Sequence, residues 1–401
     1  MGRMSESPGG AVDPYSQMPL FREIQRVLNS SSGPVNWELA RQMGIAIAVM
    51  GAEEPVPTES DRAGLEDAAR VAELRVAEFT SLSPPPELPH VRAVSRSHWI
   101  EASAAGLRAF VEPSAARVLE AFERMGMEAA GGGEEPSPAA EDTPANPFAA
   151  GGLEQLTPLL LGAQVGSVLG YLAQHVLGRY DIAIPQADPS ELHFVVPNIV
   201  KLASEWSLSS VEFRQWVAFH EVVHRFEFAR PWARKHFLEL LADFASTLEF
   251  DLSSFRAMVE GLDMANPSAM QEMLGSEEAL FGAVLDDEQR LKLARIQAFM
   301  AAAEGYGDHV THALGEKLLP SYGQIEEAMR RYRETETGDP VFERLLGIEM
   351  KRDHYWAGRA FCDRVASEAG EGLLARMWDS PEALPSMPEL PEPTLWMARA
   401  G

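Results

Sequence analysis

The sequence predicts a mainly α-helical fold, a helical bundle that includes one small β element. Long stretches repeat apolar residues at helical spacing, and Pro- and Gly-containing segments separate them. Convincing strand signals occur in only two short segments, residues 180–186 and 192–198, with a turn-like "ADPSE" between them. Of the 401 residues, 46% are hydrophobic, so the chain can bury a substantial core.

The first part of the chain is predicted to be helical after a short disordered start. Residues 1–17 are small, polar and interrupted by Pro and Gly, which predicts disorder. Residues 18–126 then read as an all-helical N-terminal region, in which Asn36 is placed as an N-cap. Pro113 separates two of the predicted helices. Whether this region is a separate domain or packs over the rest as a lid stays open.

The remainder of the chain divides by composition. Residues 127–152 consist of Gly, Pro, Ala, Ser and acids with almost nothing to bury, which is typical of a linker or a long loop. The main region is predicted to span residues 153–380, and a Pro-rich C-terminal tail covers 381–401. In the second strand candidate, "LHFVVPN" could be an edge strand that aligns an extended peptide by backbone pairing.

One apolar segment, residues 156–177, is long enough to span a membrane. Its glycines follow a double small-xxx-small pattern, which favours close helix packing. Because Gln164, Gln174 and His175 interrupt the segment, a buried helix of a soluble protein is the favoured interpretation.

Charge and cysteine content exclude several kinds of function. The formal net charge is −26, and no basic run offsets it, so we expect neither a nucleic-acid partner nor a membrane surface. The single cysteine, Cys362, excludes an internal disulfide and a zinc finger or ribbon. The N-terminus lacks the apolar core of a signal peptide, which predicts a cytoplasmic protein. The sequence does not indicate an oligomeric state.

The strongest chemical signal is the motif "AFHEVVHRF", residues 218–226. The motif lies on a predicted helix that begins with a capping box, with Ser209 at the N-cap and Glu212 at N3. His220 and His224 are four residues apart on this helix, so both imidazoles project from one face and can bind one zinc ion. Glu221 lies one residue round the helix, where it could act as general base on a metal-activated water and protonate a leaving amine. Apolar residues surround the motif, and buried histidines need partners, which a metal would provide.

A catalytic zinc site needs a third protein ligand, and the sequence offers several candidates. A later helix begins near Asp286, which with Gln289 resembles a capping box. Its apolar stripe continues into Glu304 and then Asp308, and two acids on a buried face are costly unless a cation meets them. Glu304 is therefore the preferred ligand, and Asp308 could accept the N–H of a ligating histidine. The weaker candidates are His236, Glu239 and Asp243, together with Glu227 on the histidine helix itself, where three ligands from one straight helix would surround a metal poorly.

This arrangement resembles the gluzincin pattern of HExxH on one helix and ExxxD on a later one. The segments "GYLAQHVLGRYD", "FRQWVAFHEVVHRFEF" and "LLGIEMKRDHYWAGRAF" are further similar to a bacterial zincin-like metallopeptidase family, over roughly residues 18–380. Members of that family are often labelled as associated with biosynthesis of a deazaflavin coenzyme. The resemblance implies an α+β zincin-like fold and Zn²⁺ as cofactor. It also implies that His220, His224 and Glu304 are the metal ligands, that Glu221 is the general base and that Asp308 orients a ligating histidine.

Three functions remain open at this point. The leading hypothesis is a zinc metallopeptidase that acts on a peptide or protein substrate, with Glu221 as general base. The alternatives are a zinc-binding scaffold without turnover and a hydrolase of a non-peptide amide. His309 and Tyr306 are candidate catalytic groups, since either could stabilise an oxyanion if it points into the site. His312, His354 and Tyr355 are weaker candidates for the cleft.

Overall fold

The computed structural model describes residues 33–51, 53–131, 152–180, 184–185, 188, 190–248, 286–335 and 352–401. The predicted disordered start, residues 1–17, lies outside the described residues, and so does most of the predicted linker. The described chain is mainly helical with one very small sheet, which confirms the predicted fold class. Its elements are α1 (Trp37–Val49), α2 (Glu59–Thr80), β1 (His90–Val94), α3 (Arg96–Gly131), α4 (Gly152–His175), β2 (Glu191–Val195), α5 (Val196–Glu205), α6 (Ser210–Phe228), α7 (Ala233–Ser246), α8 (Asp287–Leu318), α9 (Tyr322–Thr335), α10 (Arg352–Ala369), α11 (Glu371–Ala375) and α12 (Pro393–Ala400).

The small sheet differs from the prediction. β1 pairs with β2 in parallel, with His90 opposite Glu191 and Val94 opposite Val195, so a strand interrupts the region that was predicted to be entirely helical. β2 confirms the second strand candidate. The first candidate is wrong where it can be checked, because its described residues 180, 184 and 185 are not in a strand.

The second edge of β2 is also occupied. Arg179 donates its backbone N–H to the carbonyl of His193 (3.1 Å), and Val195 donates to the carbonyl of Leu177 (2.9 Å). With β1 on one side and residues 177–179 on the other, β2 has no free edge here for an added peptide strand. The suggestion that "LHFVVPN" aligns a substrate by backbone pairing is therefore wrong for this conformation.

Helix α3 runs through Pro113 as one helix of 36 residues, where the sequence predicted two. A proline removes one helical hydrogen bond and strains the preceding turn. The helix continues because buried side chains on both sides of the proline, including Phe110, Val111, Ala115 and Val118, hold it in the core. Tertiary packing outweighs the local preference at this position.

Helices α1 and α4 approach each other closely at glycines, as the small-xxx-small pattern predicts. A Cβ at Gly162 would lie 2.5 Å from the carbonyl oxygen of Asn36, and one at Gly166 would lie 2.8 Å from that of Ala40. Asn36 caps α1 as expected, since its side chain accepts the N–H of Leu39 at 2.9 Å. None of the described helices has both the length and the apolar character that crossing a membrane would require.

One continuous core includes buried residues from both sides of the predicted linker. The segment predicted as a C-terminal tail also contributes to it, because Trp396 of α12 is fully buried and meets Phe361 edge-on at 5.4 Å. The indole N–H of Trp396 donates to the carbonyl of Ala383 at 2.7 Å. The last residues are thus packed against the body of the protein.

Candidate metal centre

Helix α6 is enclosed by the rest of the fold. Ser209 caps its start by accepting the N–H of Glu212, as predicted, but Glu212 does not complete a capping box. The Glu212 carboxylate instead accepts the backbone N–H and the hydroxyl of Ser321, both at 2.7 Å, which ties α6 to the start of α9. Every residue from Trp216 to Phe228 is buried, so polar groups on this stretch must find partners inside the protein.

His220 and His224 turn the same edge toward each other. Their Nε2 atoms lie 3.2 Å apart, and the ring planes are nearly perpendicular at 89°. Trp216 stacks on His220 and Phe228 stacks on His224, so both rings have fixed orientations. Two nitrogens bound to one tetrahedral zinc at the usual bond lengths would be about 3.3 Å apart, so the observed spacing fits zinc.

Glu304 of α8 completes a group of three ligands. One ligand atom each from His220, His224 and Glu304 lie within 4.8 Å of one another. The predicted stripe leads to this position, since Ile296, Met300 and Ala303 are fully buried on the same helix. The types of ligand also fit zinc. Two imidazoles and one carboxylate leave the fourth position of a tetrahedral zinc open, as in catalytic zinc sites.

Two features bring α8 close enough to the histidines. Asp286 and Gln289 form the predicted capping box, which fixes the start of the helix. At Gly307, an added Cβ would lie 2.9 Å from Cε1 of His224 and 3.1 Å from its Nε2. Only glycine at this position lets the α8 backbone pass the imidazole at this distance.

The protonation state of His224 suits a ligand. Burial, and then the nearby His220, lower the pKa of His224 well below its ordinary value, and the negative charge of Asp308 opposes this only in part. The imidazole is therefore neutral at physiological pH and has a lone pair to offer.

Glu227 is the direct partner of His224. Its Oε2 lies 2.7 Å from Nδ1 of His224, on the side of the ring away from His220, and both side chains are fully buried. Burial raises the pKa of Glu227 well above its usual range, and the negative charge of Glu304 raises it further. Glu227 is therefore placed to orient a ligand, and it is not one of the three grouped ligands.

Glu221 is held under the chain segment that precedes β2. Its side chain is fully buried, and its Oε2 accepts the backbone N–H of Tyr180 at 2.9 Å. A Cβ at Gly178 would lie 2.1 Å from Cδ of Glu221, so the carboxylate occupies space that only a glycine leaves. The Gly178 carbonyl accepts the indole N–H of Trp99 at 3.0 Å, which anchors the segment.

The other predicted site residues have different surroundings. Asp308 influences His224 electrostatically, so its predicted role as an orienting group stays a prediction. Tyr306 is fully buried with its ring 6.1 Å from that of Trp378. Burial, and then the charge of Glu227, raise the pKa of the Tyr306 hydroxyl well above its ordinary value.

His309 is held between two carboxylates on other helices. Its Nδ1 lies 2.6 Å from Asp363 and its Nε2 lies 3.1 Å from Glu371. Burial alone would lower the pKa of His309, but these two hydrogen bonds raise it to about 9. Both ring nitrogens are therefore engaged in a contact that joins α8 to α10 and α11.

The remaining candidates do not join the three ligands. Glu239 pairs with Lys235 and Asp243 with Lys292 at the protein surface, while the His236 ring contacts Trp232. His312 lies 2.8 Å from the hydroxyl of Tyr322. The side chains of residues 354 and 355 lie outside the described part of the structure.

Sequence reasoning missed the contacts of Glu227, Gly178 and Gly307. For Glu227 a signal existed, because residues three apart on a helix are neighbours and a carboxylate beside a ligating histidine is a common partner. For the glycines there was none, since each adjoins a side chain from a distant part of the chain.

Comparisons with known proteins bear on the family and the fold. A model of the zincin-like metallopeptidase family matches residues 35–397. A crystal structure described as "a putative hydrolase with a novel fold", from Chloroflexus aurantiacus, is similar with 30% sequence identity and a TM-score of 0.64, covering 91% of this chain and 98% of the other. No curated protein matched significantly. Neither match concerns a deazaflavin coenzyme, so that association stays a prediction. The extent of the family match shows that this chain belongs to the zincin-like metallopeptidase family.

Proposed function

We propose that this protein is a zinc-dependent hydrolase of peptide bonds, with Glu221 as the general base. The observation that carries the proposal is the convergence of His220, His224 and Glu304, whose ligand atoms lie within 4.8 Å of one another, next to a buried Glu221. Membership of the zincin-like metallopeptidase family supports a metal ion and hydrolytic chemistry. Peptide as the substrate, zinc as the metal and Glu221 as the base belong to the proposal.

The chemistry divides between the metal and the chain. A bound zinc would polarise the scissile carbonyl and lower the pKa of water at the site. Glu221 removes a proton from the attacking water through a carboxylate oxygen and later delivers it to the leaving nitrogen, so the proton count balances over one hydrolysis. The hydrogen bond from the Tyr180 N–H keeps Oε2 in place, which leaves proton transfer to Oε1. His220, His224 and Glu304 would hold the metal.

One observation favours a second candidate, a zinc-binding protein without turnover. The side chain of Glu221 has no exposed surface, and its Oε2 is already held by the backbone of Tyr180. If residues 177–180 never move away from Glu221, water and substrate would have restricted access to it. A metal bound by His220, His224 and Glu304 would then have a structural role only.

Hydrolysis of a mixed peptide library by the full-length wild type and by Glu221→Gln separates the two candidates. Glutamine keeps the size of the side chain and removes the base, so we expect the peptidase rate to fall about 10²- to 10⁴-fold. Zinc content, measured by elemental analysis, should be unchanged because Glu221 is not among the grouped ligands. Treatment with a chelator should abolish cleavage, and added zinc should restore it.

Glu239→Gln is the matched control, since it makes the same chemical change at an exposed position of α7. Its cleavage profile should equal that of the wild type. Equal cleavage rates and identical products from wild type and Glu221→Gln would refute the peptidase function and leave zinc binding intact. Cleavage of non-peptide amides alone, in a parallel screen, would support a hydrolase with a different substrate class.

A further inference from the structure

Glu227, a carboxylate that is not one of the three grouped ligands, directly contacts the ring of a proposed metal ligand. Its Oε2 lies 2.7 Å from Nδ1 of His224, while Nε2 of the same ring faces His220 at 3.2 Å. The two nitrogens of His224 thus point to opposite partners, a carboxylate on one side and the metal group on the other. A neutral imidazole carries one proton, and an ionised carboxylate can only accept, so the contact with ionised Glu227 requires that proton on Nδ1.

The other edges of the His224 ring are closed as well. The α8 backbone passes Cε1 at Gly307, where an added Cβ would come within 2.9 Å. Phe228 stacks on one face of the ring, nearly parallel at 7°. With packing fixing the ring plane, the contact with Glu227 is what selects which nitrogen keeps the proton and which offers its lone pair.

The burial of Glu227 indicates that it does more than fill space in the core. It lies within a helix, fully buried, three residues from the histidine that it contacts. A buried acid is costly in free energy unless it has a compensating role. Accepting the Nδ1–H of a ligand gives it one, because this contact makes Nε2 a better donor to a cation.

We propose that Glu227 is a positioning residue that fixes the Nδ1–H form of His224 and thereby strengthens metal binding at the His220, His224 and Glu304 site. The proposal rests on the metal-binding part of the proposed function and is independent of the substrate. It assigns Glu227 a role that is distinct from that of Asp308, which acts on His224 through its charge.

The test is the zinc affinity of the full-length protein, measured by competition with a chromogenic chelator at fixed pH. Glu227→Gln keeps the shape and a neutral acceptor oxygen, and Glu227→Ala removes the acceptor. We expect affinity to fall in the order wild type, glutamine variant, alanine variant, by about tenfold and then toward a hundredfold. X-ray absorption of the zinc-loaded proteins should show weaker or fewer imidazole ligands in the same order.

Glu73→Gln is the matched control. Glu73 of α2 is a largely buried acid that pairs with Arg225 of α6, and it is not one of the grouped ligands. Its loss should destabilise the fold, as followed by urea unfolding of the metal-free protein, and leave zinc affinity within about threefold of the wild type. If Glu227 had only a structural role, Glu227→Gln and Glu73→Gln would both lower the stability of the fold, and neither would change the zinc affinity.

The outcomes are separable. Zinc affinity of Glu227→Gln and Glu227→Ala within threefold of the wild type would overturn the proposal, even if the wild type cleaves peptides. Graded loss of affinity would support it, even if no peptide is cleaved. If the alanine variant fails to fold, the near-isosteric glutamine variant still decides. A wild type that binds no zinc would refute both proposals.

Discussion

Replacing Gly178 by alanine should disable Glu221 while leaving the metal ligands in place. The new Cβ would lie 2.1 Å from Cδ of Glu221, 2.3 Å from Oε1 and 2.6 Å from Oε2. Non-bonded carbons normally approach to about 3.5 Å, so the carboxylate must retreat by roughly 1.4 Å. The end of a side chain can move this far, but Glu221 then loses its hydrogen bond from the Tyr180 N–H and no longer lies beside the metal ligands in the same orientation.

The magnitude follows from this displacement. A misplacement of about 1 Å in a catalytic group can cost about 10²-fold in rate, which corresponds to roughly 2.7 kcal/mol of transition-state stabilisation. We therefore expect Gly178→Ala to lower kcat about 10²-fold or more. The fold should also lose about 2–6 kcal/mol, because overpacking and an unpaired backbone N–H each cost about 1–3 kcal/mol. Zinc affinity should stay within about threefold of the wild type.

Three measurements check this reasoning on the same preparation. These are peptide hydrolysis, zinc affinity by chelator competition, and hydrogen exchange of the Tyr180 amide, which should become faster when its acceptor leaves. Gly323→Ala is the matched control, because nothing lies within 4 Å of a Cβ at that position of α9. Wild-type hydrolysis together with unchanged exchange at Tyr180 would refute the assigned contact between Gly178 and Glu221.

Two further predictions concern stability. The pKa of His309 is raised to about 9 by Asp363 and Glu371, so its contribution is complete below the unfolded pKa near 6.5 and is lost as pH rises through 9. Discounted for the half-exposed Asp363, this contribution to the free energy of unfolding is about 2 kcal/mol. In urea unfolding, the difference in free energy between wild type and His309→Gln should shrink by this amount between pH 6.5 and 9. A difference that does not change with pH would contradict the prediction. Gly358→Ala should cost about 3 kcal/mol or more, because its Cβ would lie 2.0 Å from the carbonyl oxygen of Ala301 and backbone cannot yield, so helices α8 and α10 must separate. An unfolding midpoint equal to that of Gly323→Ala would show that this helix contact is not tight.

Signals contained within a few residues of sequence were predicted correctly. The caps at Asn36 and Ser209 and the capping box at Asp286 are local hydrogen-bond patterns, and the structure contains each of them. The spacing of His220 and His224 is equally local, since the helix alone brings the two rings to one side. These features required no knowledge of which elements pack together.

Features that depend on distant partners were missed. β1 has little strand character by itself, and it forms because β2, about a hundred residues later, pairs with it in parallel. The predicted break at Pro113 fails for a related reason, since contacts with other elements hold the helix together across the proline. In both cases the deciding free energy comes from tertiary packing, which sequence periodicity does not contain.

The candidate site was predictable in part, because some of its residues carry a local sequence signal and others depend on distant partners. Glu304 could be selected from sequence because an acid that continues an apolar helical stripe has to meet a cation or lose stability. The glycines at positions 178 and 307 could not, because their neighbours belong to other helices. The sequence predicts Glu227 as a weak candidate ligand, whereas in the structure it contacts Nδ1 of His224, three residues before it on the same helix.

The charges around the site give a physical reason for this arrangement. Glu227 and Glu304 are close enough that the charge of one raises the pKa of the other, on top of the effect of burial. Such acids oppose each other in the absence of a cation, and a divalent ion between the histidines and Glu304 would turn this repulsion into attraction. Under the proposed function, the metal-free fold carries a free-energy cost that metal binding would return. This coupling would account for a buried Glu227 beside two buried imidazoles inside an otherwise apolar helical core.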